Sequence, residues 1–136
     1  METTIVEVLQ NEGWNFDRVS GDIYQTLYNG DNGKFYVHLN LSNFNSSLIL
    51  GNSFFPGVVE KNFISQAAWQ LNAINLKISI GSFQIDLKTG KISFRAGIYF
   101  FNTAFQMDMV RNVLNTLVSY SNQHYHFINV LLNEEV

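Results

Sequence analysis

The side chains that could do chemistry are few and scattered. His124-Tyr125-His126 offers two imidazoles at i and i+2. On a helix, residues two apart point ~200° away from each other, so this pair cannot close on one metal ion. His124 falls in an apolar stripe and is expected to be buried and hydrogen-bonded, with His126 in solvent. His38 stands between Tyr36 and Asn40 with no carboxylate or nucleophile beside it in sequence. A general base needs such a neighbour within hydrogen-bond reach. The carboxylates are dispersed: Glu2, Glu7 and Glu12 on a first helix, Asp86 beside a hairpin, Glu134 and Glu135 in a C-terminal tail expected to fray. Arg95 is the expected diagonal partner of Asp86. Cysteine is absent, which removes thiol nucleophiles, disulfides and zinc knuckles. The phosphate-binding patterns GxGxxG and GxxxxGK[ST], and the HExxH, EF-hand and GxSxG patterns, do not occur. No catalytic, cofactor-binding or metal-ligating residue is assigned, and no cofactor is expected.

Surface character is more informative. Tyr24, Thr26, Tyr28, Tyr36, His38, Ser79, Arg95 and Tyr99 are expected on the outer face of a sheet. Tyr and Arg are favoured at interaction surfaces, although Tyr also has good strand propensity in its own right. Trp69 lies on the polar side of a helix beside Asn62, Ser65 and Gln66. It either covers a loop of its own chain, such as Phe54-Phe55, or sits in a dimer interface. Trp69, Tyr24, Tyr36, His38, Arg95 and Tyr99 are the candidate partner or dimer contacts.

These residues must be held by a recognisable set of elements. Thr3 or Thr4 caps a short first helix with Ile5, Val8 and Leu9 on one face, stopped by Gly13 and followed by Trp14 as a core plug. From Val19 to Leu50 the period changes to two. Ile23 and Leu27 alternate with Tyr24, Thr26 and Tyr28, and Phe35, Val37, Leu39 and Leu41 alternate with Tyr36, His38 and Asn40. This pattern predicts antiparallel strands with one buried face, joined by the turn Asn29–Gly33. A third strand is expected at 47–51. After Pro56 a second helix is expected over 57–75, with Ile64, Ala67, Ala68, Leu71 and Ile74 inward. Leu76, Ile78 and Ile80 share one strand face, whereas Phe83, Ile85 and Leu87 are shifted by one residue. One extra residue at Gly81 or Ser82, a β-bulge, repairs that slip. A tight Thr89-Gly90 turn then pairs Leu87 with Ile92, Ile85 with Phe94 and Gln84 with Arg95. A long last helix runs over 103–133, with a break or kink expected near Ser121-Asn122. The order is α-β-β-β-α-β-β-α: an α+β fold, an antiparallel sheet with helices on one face.

At 136 residues, 46% hydrophobic and 14% charged, the chain reads as a single domain over 1–136 with a sizeable core. Its net charge of −3 speaks against nucleic-acid binding. The opening run METTIVEVLQNEGW has no positive n-region, and no apolar stretch is long enough to span a bilayer. A cytoplasmic protein that does not engage a membrane is expected. Low charge content leaves little repulsion against self-association.

Gly13-Trp14, Pro56, Asn75-Leu76, Gly81-Ser82-Phe83, Asp86, Gly90, Ile92 and Phe94-Arg95 together resemble the bacterial YbjN family, whose pattern reads N-x-x-x-x-x-G-x-F-x-x-D-x-x-x-G-x-I-x-[FY]-R. Proteins of that family carry the label of sensory transduction regulators. They are similar in fold to the type III secretion chaperones, small dimeric proteins with the same element order. The resemblance implies a non-catalytic regulatory or chaperone-like protein that binds another polypeptide, with a homodimer expected. The alternative is a small-ligand binder, or an unrecognised enzyme, with a pocket between the sheet and the C-terminal helix.

Overall fold

The structure is a computed structural model that describes residues 2–133. Helix α1 (Glu2–Asn11) leads into strands β1 (Asp17–Ser20), β2 (Ile23–Asn29), β3 (Lys34–Asn40) and β4 (Leu48–Phe54). Helix α2 (Ile64–Asn75) follows, then the hairpin β5 (Ser82–Ile85) and β6 (Ile92–Tyr99), then α3 (Met107–Gln123) and α4 (Tyr125–Leu132). The strands form one antiparallel sheet in the order β1-β2-β3-β4-β6-β5. The expected α+β order holds, with β1 added and the last helix divided. Glu134 and Glu135 lie outside the described residues.

One face of the sheet is buried under the helices. Phe35, Val37 and Leu39 of β3, Ile49 of β4, and Ile92, Phe94 and Ala96 of β6 all point inward. They meet Ile5 and Leu9 of α1, Ala67 and Leu71 of α2, Val110, Val113, Leu114 and Leu117 of α3, and Ile128 and Leu131 of α4 in one core. The apolar stripe of the last helix keeps its expected members. Its break falls at His124 (φ −105°, ψ 8°), shortly after the expected place.

Several expectations need correction. Helix α1 already begins at Glu2, so Thr3 and Thr4 lie within it and do not cap it. The second helix starts at Ile64, after a 3₁₀ turn over Lys61–Phe63. Before that turn the Val59 N–H donates to the Gly90 carbonyl at 2.8 Å, holding the segment against the hairpin loop instead of in a helix. Residues 76–80 are not a strand. The Leu76, Lys77 and Ile78 N–H groups donate to Asn72, Ile74 and Asn75 carbonyls, continuing the end of α2 in tight turns, and Leu76 and Ile80 are exposed. The parity slip therefore marked a turn, and no bulge interrupts β5. The irregularity in this sheet lies instead between Arg18 and Ser20 of β1.

The β5–β6 register pairs Phe83 with Phe94 and Ile85 with Ile92, so the connection runs over residues 86–91 and not over Thr89-Gly90 alone. The parity is the expected one, but every pair is shifted by two residues, so Gln84 faces Ser93, Arg95 faces Ser82, and Leu87 has no strand partner. Leu87 projects from that loop and is exposed. The Asp86 carboxylate accepts from the Lys88 and Thr89 N–H groups at 2.8 and 3.1 Å, which shapes the loop. Asp86 makes no ion pair with Arg95, which donates to Asn52 instead.

Asn75 joins the two halves of this arrangement. Its side-chain amide donates to the Phe83 carbonyl at 2.9 Å, and its carbonyl accepts from the Phe83 N–H at 2.7 Å. The end of α2 is thus bonded directly to β5. Gly81 makes the turn between them with φ +79°, and a Cβ there would lie 2.6 Å from the Arg95 carbonyl oxygen. Asn75→Ala leaves both Phe83 backbone groups without these partners in a part-buried setting. It is expected to lower unfolding free energy by about 1–3 kcal/mol in urea titration.

Candidate functional site: the helix-free face of the sheet

The register defines what the uncovered face carries. Asp17, Gln25, His38, Asn52, Arg95 and Ser82 are directly opposite one another in successive pairs, one from each strand. They make a polar row that crosses the sheet at right angles to the strands. At about 4.8 Å per strand the row is roughly 24 Å long. Beside it lies a second row, Leu27, Tyr36, Phe54, Ser93 and Gln84. On the other side lie Ile23, Asn40, Leu50 and Gly97.

Side chains of the polar row bond along it. His38 Nε2 is 2.6 Å from Gln25 Oε1, and Arg95 Nε donates to Asn52 Oδ1 at 3.2 Å. The His38 ring packs on Phe54, with centroids 4.6 Å apart, and the Lys91 ammonium lies 5.7 Å from the Phe54 ring centre. Burial, joined by the nearby Lys91 charge, holds the His38 imidazole below its ordinary pKa. The Asp86 carboxyl is also held low, by the backbone N–H groups of Lys88 and Thr89. Among the described residues, no ion pair involves Arg95 or Lys91. The pairs present join Arg111 to Glu12 and Asp108.

Tyr36, His38 and Arg95 therefore come together on this face. Tyr24 does not. It pairs with Leu39, and Thr26 and Tyr28 pair with Val37 and Phe35, so all three point toward the helix layer. Tyr28 stacks on Trp14 at 5.7 Å, which explains why β2 turns its tyrosines inward and leaves Leu27 outside. Tyr99 lies at the rim of the open face, exposed and stacked on Phe101 at 6.1 Å. Trp69 belongs to the opposite layer. It is 82% exposed on α2, so it covers no loop of its own chain, and Phe55 is itself buried in the core. Gln25, Phe54 and Lys91 were missed as contributors to this face, as was buried Asn52, which holds Arg95. Continuing the alternation of β4 past Gly51 to Asn52 and Phe54 supplies the signal for two of them.

On the helix side, a cleft of about 410 Å³ lies between α2 and the α3–α4 break, with Ile74, Lys77, Ile78, Tyr120, His124 and Phe127 among its walls. His124 is half-buried there, edge-on to Phe83 at 5.3 Å, and desolvation lowers its pKa. No hydrogen bond to its ring occurs among the described residues, contrary to expectation. His126 is exposed, and the described residues hold no metal-ligating cluster.

The open face carries amide side chains, an imidazole, two cations and aromatic rings. The antiparallel sheet with its one-sided helix layer is an α+β fold like that of the type III secretion chaperones and YbjN. Among solved structures, the chain is similar to YbjN from E. coli, a candidate transcription regulator. That likeness has a TM-score of 0.67 at 12% identity and covers 93% of this chain and 92% of that one. It is also similar to a chain of the ExsC–ExsE complex, with TM-score 0.60, 15% identity and coverage of 98% and 95%. A third likeness, to a chain of the HopA1–SchA chaperone–effector complex, has TM-score 0.59, 11% identity and 90% coverage of each. No protein-family model and no curated protein sequence matches this chain.

The depressed His38 pKa fixes a sign for pH dependence. A histidine titrating lower in the folded than in the unfolded state stabilises the fold above the unfolded pKa of ~6.5, and that contribution is lost as pH falls through the folded value. Histidine NMR titration is expected to place His38 below 6.5, and Lys91→Gln to move it upward. Chemical denaturation is expected to show lower stability at acid pH than at neutrality.

Proposed function

We propose that this chain is a non-catalytic, chaperone-like regulatory protein of the cytoplasm that binds another polypeptide and works as a homodimer. The observation that carries the reading is the exposed apolar flank around α2. Trp69 is 82% exposed, Leu76 81% and Ile80 58%, beside the edge strand β5, whose Phe83 backbone groups are held by Asn75. A Trp in that position leaves a large apolar area in water unless a second surface covers it. The likeness to a chain of a chaperone–effector complex supports a polypeptide as the partner. No helix among the described residues is long and apolar enough to cross a membrane.

A second reading, a small-ligand binder, is favoured by the cleft between α2 and the α3–α4 break, whose volume suits a small organic molecule. It lies between helices and not between the sheet and the C-terminal helix. Native mass spectrometry of the purified chain decides it: a retained small molecule displaced by Ile78→Trp supports the reading.

Light scattering of the purified chain is expected to give the mass of a dimer. Trp69→Ala is expected to raise the dimer dissociation constant by about tenfold or more, as loss of a buried interface Trp does, with little change in monomer melting. A wild-type chain that stays monomeric at high concentration overturns the homodimer.

A further inference from the structure

The β6 end of the open sheet face carries two cations that no carboxylate pairs among the described residues. The chain carries a net −3, yet Arg95 and Lys91 stand on this face with no ion-pair partner among the described residues. Arg95 uses only its Nε, on Asn52, so its terminal nitrogens form no hydrogen bond within the described structure. Asp86, which borders the same surface, makes no ion pair with either cation, and its Oδ1 accepts from the N–H groups of its own loop. Asp17 is at the far end of the row, on the β1 edge.

The uncharged groups add a second constraint. Half-buried Gln25 keeps an amide nitrogen that can donate to a peptide carbonyl, whereas Asn52 is buried and holds Arg95 in place through its Oδ1. The adjacent row brings Tyr36 and Phe54 alongside, about 7 Å away at two residues along each strand. A segment lying between the rows meets an amide and cations on one side and aromatic rings on the other. An extended polypeptide alternates its side chains in that manner. A nucleic-acid strand would need cations at regular intervals along the whole row, and here they gather at one end.

From this we infer that the helix-free face docks an extended acidic segment of a partner polypeptide, laid across the strands. Its carboxylates meet Arg95 and Lys91, and its apolar side chains rest on Phe54 and Tyr36. The inference rests on the polypeptide-binding reading above and adds the place and chemistry of the contact. Docking here leaves the α2 flank free for a second copy of the chain.

The test is selection of binders from a random peptide library of about a dozen residues, enough to cross the sheet at ~3.3 Å per residue, on the full chain. Fluorescence anisotropy of a selected peptide then compares wild type, Arg95→Gln, the Arg95→Gln/Lys91→Gln double variant and Trp69→Ala. Both substituted cations are exposed, and circular dichroism verifies the fold. Selected peptides are expected to carry Asp or Glu beside apolar residues. Binding is expected to weaken about tenfold in Arg95→Gln, further in the double variant, and little in Trp69→Ala. Replacing the peptide's Glu by Gln is expected to do the same. Peptides without acidic residues, affinity unchanged in the double variant, or tighter binding of an oligothymidylate strand each overturn the inference. Binding that survives the double variant but is lost in Trp69→Ala removes this face and leaves the polypeptide reading standing. A library that yields no binder overturns both.

Discussion

The layering of this protein depends on how closely α3 approaches the middle of the sheet. At Gly51 of β4 a Cβ would lie 2.6 Å from Leu117 Cδ1 and 2.8 Å from Val113 Cγ1. Glycine is required there by space, because its φ is not in the left-handed region. With no side chain between them, the α3 stripe sits directly over β4 and β6, and the flanking Ile49, Phe94 and Ala96 seal the contact. Ser53 and Ser121 are also buried in this layer, and no protein group bonds their hydroxyls. Their small size, like that of Gly51, suits a tight helix–sheet contact more than hydrogen bonding.

The consequence is a strict division of labour between the two faces. The apolar stripes of the helices are spent on one side, and no helix among the described residues covers the other. An uncovered sheet must carry polar groups to stay soluble, and a cross-strand row is the economical way to place them, since opposite residues satisfy one another laterally. His38 with Gln25 and Arg95 with Asn52 do this. The pairing leaves Arg95 and Lys91 without an ion-pair partner among the described residues.

Much of this was legible in the sequence. Period-two alternation in 35–41 and 92–98 identified β3, β6 and their inward faces, and helical spacing identified the stripe from Val110 to Leu131. Alternation cannot say which of two half-apolar faces is inside. In β2, Tyr24 and Tyr28 compete with Ile23 and Leu27, and the choice went to the tyrosines because Trp14 arrives from α1 to stack on Tyr28. That contact is tertiary and has no local signature. The run Leu76, Ile78, Ile80 imitates a strand, but the Asn75–Phe83 bonds reserve the segment for a turn. The polar row was invisible for a different reason: it exists only in the register of all the strands, and no stretch of chain contains two of its members close together.

The motif that suggested kinship explains its own lack of chemistry. Asn75 ties the helix end to β5, Gly81 turns the chain under Arg95, and Asp86 shapes the hairpin loop. Gly90, with φ +76°, lets that loop close on the backbone of Val59. Phe83 and Ile92 fill the core beneath it. Each of these positions secures the joint between α2 and the hairpin, so the motif specifies a scaffold. Arg95 is the exception: it ends the motif, yet its guanidinium points away from the core and contributes one bond to the sheet. A scaffold needs no charged fork on its open face. Arg95 is therefore the motif residue whose charge the scaffold itself leaves unpaired among the described residues.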